Sequence, residues 1–453
     1  MGTAAAVLAI VSLLCCAVVQ ASHVVYPELQ SLEAKEVATE LRTGYHFQPP
    51  KHWINGPMYY KGLYHLFYQY NPKGAVWGNI IWAHSFLKKK KKLAALRLHR
   101  PHPLGGPGAR DLPHQALRRQ RLLVRLHHHV ANISYPANIS DPFLREWVKP
   151  EYNPIITPDH GINASAFQDP TTAWYGPDGH KWVKAHHSLH AGMTGMWECP
   201  DFYPVAVAGG NHHHQSGVDT TELHDRVVAE EVKYVLKDND YGLRYDYGDF
   251  YASKSFDPAK NAECFGAGPM SLTPLPTTAT RAGPASRKIF LSRSGRQLIQ
   301  WPVEEVKSLR SWHVNVSNKA VKGGEYFEVT GFKSVQSDVE AAFTIRNLDK
   351  ADKFDLAWSS YESQIYRPTF AGFVNIDIAK TKKIALRTLI DHSVVESFGA
   401  GRKTCILARI YPRKAIGEDA HLFVFNNGES DIKVTNLDAW HMKTPTMNKL
   451  LEQ

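Results

Sequence analysis

The chain has 453 residues, 43% of them hydrophobic and 21% charged, with a formal net charge of +10. That length holds two or three domains with a sizeable core. Residues 88–129 alone carry five Lys and seven Arg against one acid, Asp111, a net of +11, so a nucleic-acid or polyanion reading would rest wholly on that segment. Aromatics at 11%, with 31 Gly and 27 Pro, suit an all-β protein of many short strands and turns.

Residues 1–22 contain an apolar run, Ala4 to Val19, followed by Gln20-Ala21-Ser22. The small residues near Ala21 suit signal-peptidase cleavage, and the run is short for a membrane span. A signal peptide is expected here, with an N-terminal anchor as the alternative. Four Asn-x-Ser sequons, at Asn132, Asn138, Asn163 and Asn315, agree with secretion. Cys15 and Cys16 would leave with the signal. The mature chain would keep Cys199, Cys264 and Cys405, an odd count that leaves at least one thiol unpaired. Their spacing suggests no metal site, and no cofactor is implied.

After a polar lead-in over 23–45, residues 46–84 pack Trp53, Trp77 and Trp82 among short apolar runs and Gly/Pro turns. Strands are expected at Met58–Tyr60, Leu63–Tyr70 and Asn79–Ala83, with turns at Lys61-Gly62 and Asn71-Pro72-Lys73-Gly74. Aromatic rings beside Asn, Gln and His could hold a sugar, whose faces are apolar and whose rim is hydroxyl. The same pattern also fits an ordinary sheet core.

From Phe86 to His129 the texture changes to Lys88–Lys92, scattered Arg, six His and four Pro, with no clean period. His127-His128-His129 has the look of a metal tract but belongs to the same irregular segment, and no metal site is expected there. Further on, residues 301–320 read as a helical linker. Alternation in Tyr326–Val329, Phe373–Asp377 and Leu422–Phe425 indicates a second β-domain, and Asn427-Gly428 is a hairpin signal.

Which carboxylates could do chemistry? Glu198, in Trp197-Glu198-Cys199-Pro200-Asp201-Phe202, sits between Trp and Cys, a desolvated setting that raises a carboxyl pKa. On residue type alone it could equally lie on a rim. Asp169, in Phe167-Gln168-Asp169-Pro170, reads on its own as a turn. Asp391-His392-Ser393 places three triad residue types side by side. Neighbours on one strand face alternate sides, so they cannot form a triad locally.

The stretch Trp53-Ile54-Asn55-Gly56-Pro57-Met58 resembles the catalytic strand of the plant β-fructofuranosidases, the invertases and fructan hydrolases of glycoside hydrolase family 32, where it reads Trp-Ile-Asn-Asp-Pro-Asn-Gly-Pro-Met. The Asp that this chain lacks after Asn55 is the family's nucleophile. The resemblance makes Glu198 the general acid/base and Asp169 the transition-state stabiliser. It assigns sugar contacts to Trp53, Asn55, Gln69, Trp77 and Trp82, and a glucose-side contact to Asp246 in Tyr245-Asp246-Tyr247-Gly248. The family has Arg-Asp-Pro where this chain has Gln168, which removes a cation from the site. Pro200 is like the cell-wall, insoluble acid forms.

The resemblance implies a five-bladed β-propeller over 23–300, incomplete in this chain, then a β-sandwich over 321–453. Residues 86–129 and 262–285 depart from the family. Shorter losses are expected after His180, after Lys237 and near Ser359–Ser363, and the last would take the partner of Cys405. A shifted reading frame accounts for the departures, and skipping a very small exon accounts for the lost Asp-Pro-Asn. The implied activity is hydrolysis of sucrose or terminal fructosyl bonds in the apoplast, at the cell wall. Cell-wall polysaccharide and a proteinaceous inhibitor are the implied partners, with no nucleic acid and no membrane. The alternative is an inactive sugar-binding or regulatory homologue, or a chain that does not fold.

Overall fold

A computed structural model describes residues 41–46, 57–61, 63–70, 81–89, 93–99, 122–126, 130–158, 202–206, 232–236, 245–248, 250, 254–256, 265–267, 287–293, 297–345, 378–399, 401–410, 412 and 414–445. Strands dominate these residues. The α-helical element among them is one turn, Ile378–Thr381.

The N-terminal half is a series of separate antiparallel sheets. Strands β1 (Pro57–Tyr60), β2 (Leu63–Tyr70), β3 (Ile81–Lys89) and β4 (Leu93–His99) form a four-stranded meander in sequence order. Tyr60 pairs with Leu63, so the expected turn at 61–62 is a two-residue hairpin, with Lys61 at φ 43°. That positive φ matches the right-handed twist of the flanking strands. β3 runs six residues past the expected Ala83, and Lys89 pairs with Leu93. The basic run therefore begins inside a hairpin rather than a free tail.

Strands β5 (Leu122–Leu126), β6 (Val130–Pro136) and β7 (Trp147–Val148) make a three-stranded sheet. β8 (Phe202–Ala206) pairs with β9 (Val232–Leu236). β10 (Lys254–Phe256), β11 (Phe265–Ala267), β12 (Arg287–Leu291) and β13 (Leu298–Pro302) form a second four-stranded meander. β12 alternates strictly between buried and half-buried residues, as a strand with one covered face must.

The helical linker expected over 301–320 is overturned. A 3-10 helix occupies only Glu304–Leu309, and β14 (Arg310–Val321) follows at once. Glu304, Glu305 and Lys307 gave the helical signal, and Val314 and Val316 carry a strand alternation that it masked. β14 joins β16 (Gln336–Ile345), β17 (Lys383–Asp391), β18 (Val394–Gly399), β19 (Thr404–Arg409) and β21 (Ile432–Met442) in a six-stranded sheet of order β14-β21-β16-β17-β18-β19.

β15 (Tyr326–Lys333) and β20 (His421–Phe425) form a two-stranded sheet that covers one face of the larger one. Val329, Phe332, Val339, Val434, Leu437 and Ala439 fill the space between them. The opposite face packs Leu389, Phe398 and Met442 against Val306 and Leu309 of the 3-10 helix.

The hairpin expected at Asn427-Gly428 is also overturned, because β20 and β21 lie in different sheets. Asn426 makes this connection. Its Oδ1 accepts from the Gly428 N–H at 3.1 Å, and its Nδ2 donates to the Ser430 and Val321 carbonyls. An Asx turn followed by a crossing between sheets uses the same residue types as a hairpin.

Candidate functional site

Glu198, Asp169, Trp53, Asn55 and Trp77 lie outside the described residues, as do residues 1–22, Asn163, Cys199, Cys264, His127–His129 and the strand expected at Phe373–Asp377. Gln69 and Trp82 are described in their backbone. They are direct partners across β2 and β3, so the register brings these two expected sugar contacts together.

Asp246 is the one expected site carboxylate whose side chain is described, and it is fully buried. Its Oδ1 accepts from the N–H groups of Gly248 and Leu407, at 2.8 and 3.0 Å. Its Oδ2 accepts from Arg287 Nη2 at 2.8 Å. Both oxygens are thus engaged within the protein, with three described donors on about four acceptor positions.

Arg287 is the centre of a larger cluster. Its Nε donates to Glu396 Oε1 at 2.5 Å and its Nη1 to Gln300 Oε1 at 3.1 Å. Glu396 Oε2 lies 3.4 Å from His46 Nε2, and His46 Nδ1 lies 3.0 Å from Asp391 Oδ2. Asp391 also accepts from three successive backbone N–H groups, those of Gly44, Tyr45 and His46, at 2.6 to 2.8 Å. The chain Asp391–His46–Glu396–Arg287–Asp246 thus alternates in charge and joins the first described segment, the second meander and the six-stranded sheet. Sequence reasoning missed His46, Arg287 and Glu396. Nothing local marks them, because their charged partners lie 41 to 350 residues away.

Charges this deep persist only when paired. Burial alone would strip the proton from His46, but hydrogen bonds to Asp391 and Glu396 outweigh it and raise its pKa to about 9. At neutral pH both ring nitrogens then carry a proton and donate. Burial likewise opposes the charges on Asp391 and Glu396. His46 and backbone N–H groups hold the first below the usual carboxylate range, and Arg287 and His46 hold the second there. At Asp246 burial wins over Arg287, and the pKa rises.

The triad residue types at 391–393 are structural. His392 turns the β17–β18 hairpin at φ 55°, and the Ser393 hydroxyl donates to the Leu41 carbonyl at 2.5 Å. Cys405 is a buried free thiol whose pKa burial pushes up.

The sequons divide by exposure. Asn132 is 8% exposed within β6. Asn138 sits in an exposed turn, its Oδ1 accepting from Ser140 N–H. Asn315 lies exposed on the edge strand β14 with its Nδ2 bonded across to Asn436 and Asp438. Among the described residues no His, Cys, Asp and Glu group could hold a metal ion, and no helix is long and apolar enough to cross a membrane.

Two family models match the chain. "Glycosyl hydrolases family 32 N-terminal domain" matches residues 46–89 and 176–302, and "Glycosyl hydrolases family 32 C terminal" matches 305–441. The chain is 53% identical to "Beta-fructofuranosidase, insoluble isoenzyme 3" of Oryza sativa, over 95% of this chain and 96% of that one. The alignment spans 561 positions, which exceeds this chain's whole length by 108. Isoenzyme 1 of the same plant is 40% identical over 94% of this chain and 96% of its own length. The crystal structure of fructan 1-exohydrolase IIa from Cichorium intybus superposes with a TM-score of 0.74 at 32% identity, covering 91% of this chain and 99% of that one.

Proposed function

The chain belongs to glycosyl hydrolase family 32, and from that premise we propose that it hydrolyses terminal non-reducing β-fructofuranoside bonds, sucrose to glucose and fructose among them. The observation that carries this is the 53% identity over nearly the whole chain to a named β-fructofuranosidase. The relatives reported above are enzymes, which favours the hydrolase over an inactive sugar-binding homologue. Insoluble isoenzymes among them favour a secreted protein at the cell wall, with Asn138 and Asn315 as its glycan acceptors among the described sequons.

The two four-stranded meanders, β1–β4 and β10–β13, support a propeller of which they are blades. The chemistry follows from two carboxyl groups roughly 5–5.5 Å apart. Glu198 protonates the leaving oxygen, a carboxylate attacks the anomeric carbon, and water then cleaves the fructosyl ester with Glu198 acting as base. Asp169 holds sugar hydroxyls as positive charge develops on the ring. The attacking carboxylate is the one missing between Asn55 and Gly56.

Restoring Asp-Pro-Asn at that junction is the direct test. The restored chain is expected to release glucose and fructose from sucrose at a rate on the order of 10⁴-fold or more above the chain as written. A restored, folded chain with no turnover overturns the reading. Sequencing the transcript across the Asn55 and Gly56 codons tests the skipped exon, through nine further nucleotides.

A further inference from the structure

The ionic chain described above holds down two stretches that matter to the pocket. One is 44–46, which leads into Trp53 and Asn55. The other is 245–248, which carries Asp246. We propose that strands β17 to β19 are the base on which these two stretches are set relative to each other, with Arg287 and His46 as positioning residues; this rests on the fructofuranosidase reading.

The second stretch lies along β19 almost as an added strand. The Tyr247 N–H donates to the Cys405 carbonyl at 2.9 Å, and the Leu407 N–H donates to Asp246. The Tyr245 carbonyl accepts from Gln300 Nε2, and the Gln300 N–H donates in turn to the Arg402 carbonyl at 2.7 Å. The approach is so close that a Cβ on Gly248 would fall 1.9 Å from the Leu407 carbonyl oxygen. The first stretch is fixed as firmly. Three backbone N–H groups converge on Asp391, and the Tyr45 hydroxyl donates to the Ser337 and Ile390 carbonyls.

Arg287 and His46 share one acceptor, Glu396, which puts a different oxygen toward each. A displacement of either cation therefore moves the carboxylate on which the other depends. Glu396, Asp391, Arg387, Phe398, Cys405 and Leu407 all lie on the sheet face that meets the N-terminal half. The C-terminal sheet thus acts on the sugar site through position.

Two variants probe this by different means. Glu396→Gln keeps the shape and removes the shared charge. Gly248→Ala leaves every charge in place and drives the loop off β19. Arg310→Lys is the control. It weakens another ion pair of the same sheet, with Asp338 and Glu340, through a side chain whose own bonds go to neither stretch.

Hydrogen exchange in the full-length chain is expected to rise roughly tenfold at both 44–46 and 245–248 in Glu396→Gln, and at neither in Arg310→Lys. Loosening of one stretch alone overturns the proposal. In the Asp-Pro-Asn-restored chain, Glu396→Gln and Gly248→Ala are each expected to raise the sucrose KM roughly tenfold with kcat held within about twofold. A fall in kcat at unchanged KM, or an equal KM rise in the control, overturns it. If the restored chain leaves sucrose intact, the hydrolase reading fails, while the exchange measurement still decides the positioning role.

Discussion

The two halves of the molecule use the same element and differ in continuity. The C-terminal sheet has strands of up to twelve residues paired along their length, and the family model matches it unbroken from 305 to 441. Among the described residues the N-terminal half shows sheets of two to four strands, some only two or three residues long, and its family match is interrupted from 90 to 175. A long strand in a wide sheet buries side chains on both faces, whereas a two-stranded sheet is marginal without neighbours. The N-terminal sheets therefore depend on being held, and the buried charges lie where they meet the C-terminal sheet.

That contrast predicts effects of different kind on the two sides. The largest belongs to the N-terminal half. In the restored chain Glu198→Gln is expected to lower kcat on sucrose by roughly 10³-fold, with the melting temperature unchanged, since general acid catalysis contributes about 10²–10⁴. A fall in melting temperature that matched the activity loss would make Glu198 structural.

In the C-terminal half, a different pair should show its effect on stability. Asp338 binds the fully buried Arg387 through two bonds of 2.9 and 2.8 Å, so Asp338→Ala leaves that buried cation only the longer contact with Glu340, at 3.5 Å. Its cost is expected at about 3–5 kcal/mol in chemical denaturation.

A pH series tests the junction between the halves. His46 has a folded pKa raised to about 9 from 6.5, so its stabilisation is complete below pH 6.5 and is lost as pH climbs through 9. The loss is expected on the order of 3 kcal/mol at about 1.36 kcal/mol per pKa unit, and His46→Gln should flatten it. The lowered pKa values of Asp391 and Glu396 act in the other direction. Their stabilisation is present above the ordinary carboxylate range and fades as acid reaches their depressed values.

The smallest effect is at the sheet crossing. Asn426→Ala removes three hydrogen bonds at a buried turn and is expected to cost about 1–2 kcal/mol, without the pH dependence of the junction. A pH-dependent loss there would blur the distinction between junction and crossing.

The strand pattern was readable where the alternation was clean. Leu63–Tyr70 was expected and formed residue for residue, and the chain turns at Lys61 between the paired Tyr60 and Leu63. It failed where a few charged residues imitated a helix start before β14, and where Asn-Gly served a crossing between sheets. In each case the local signal was true to its residue type, and the partner that decided its meaning lay elsewhere in the chain. Of the site, the resemblance picked out Glu198, Asp169 and the gap after Asn55. The positions of Gln69 and Trp82 came from their shared register.

By itself the sequence determined an all-β chain, the family motifs and the absence of one carboxylate, because those are properties of adjacent residues. Only the tertiary structure decided that Asp246 is enclosed by Arg287 and that Asp391 receives His46, 345 residues away. The reason is physical. A buried charge is tolerable only beside its counter-charge, and which residues become neighbours is set by how the sheets pack, not by their order along the chain.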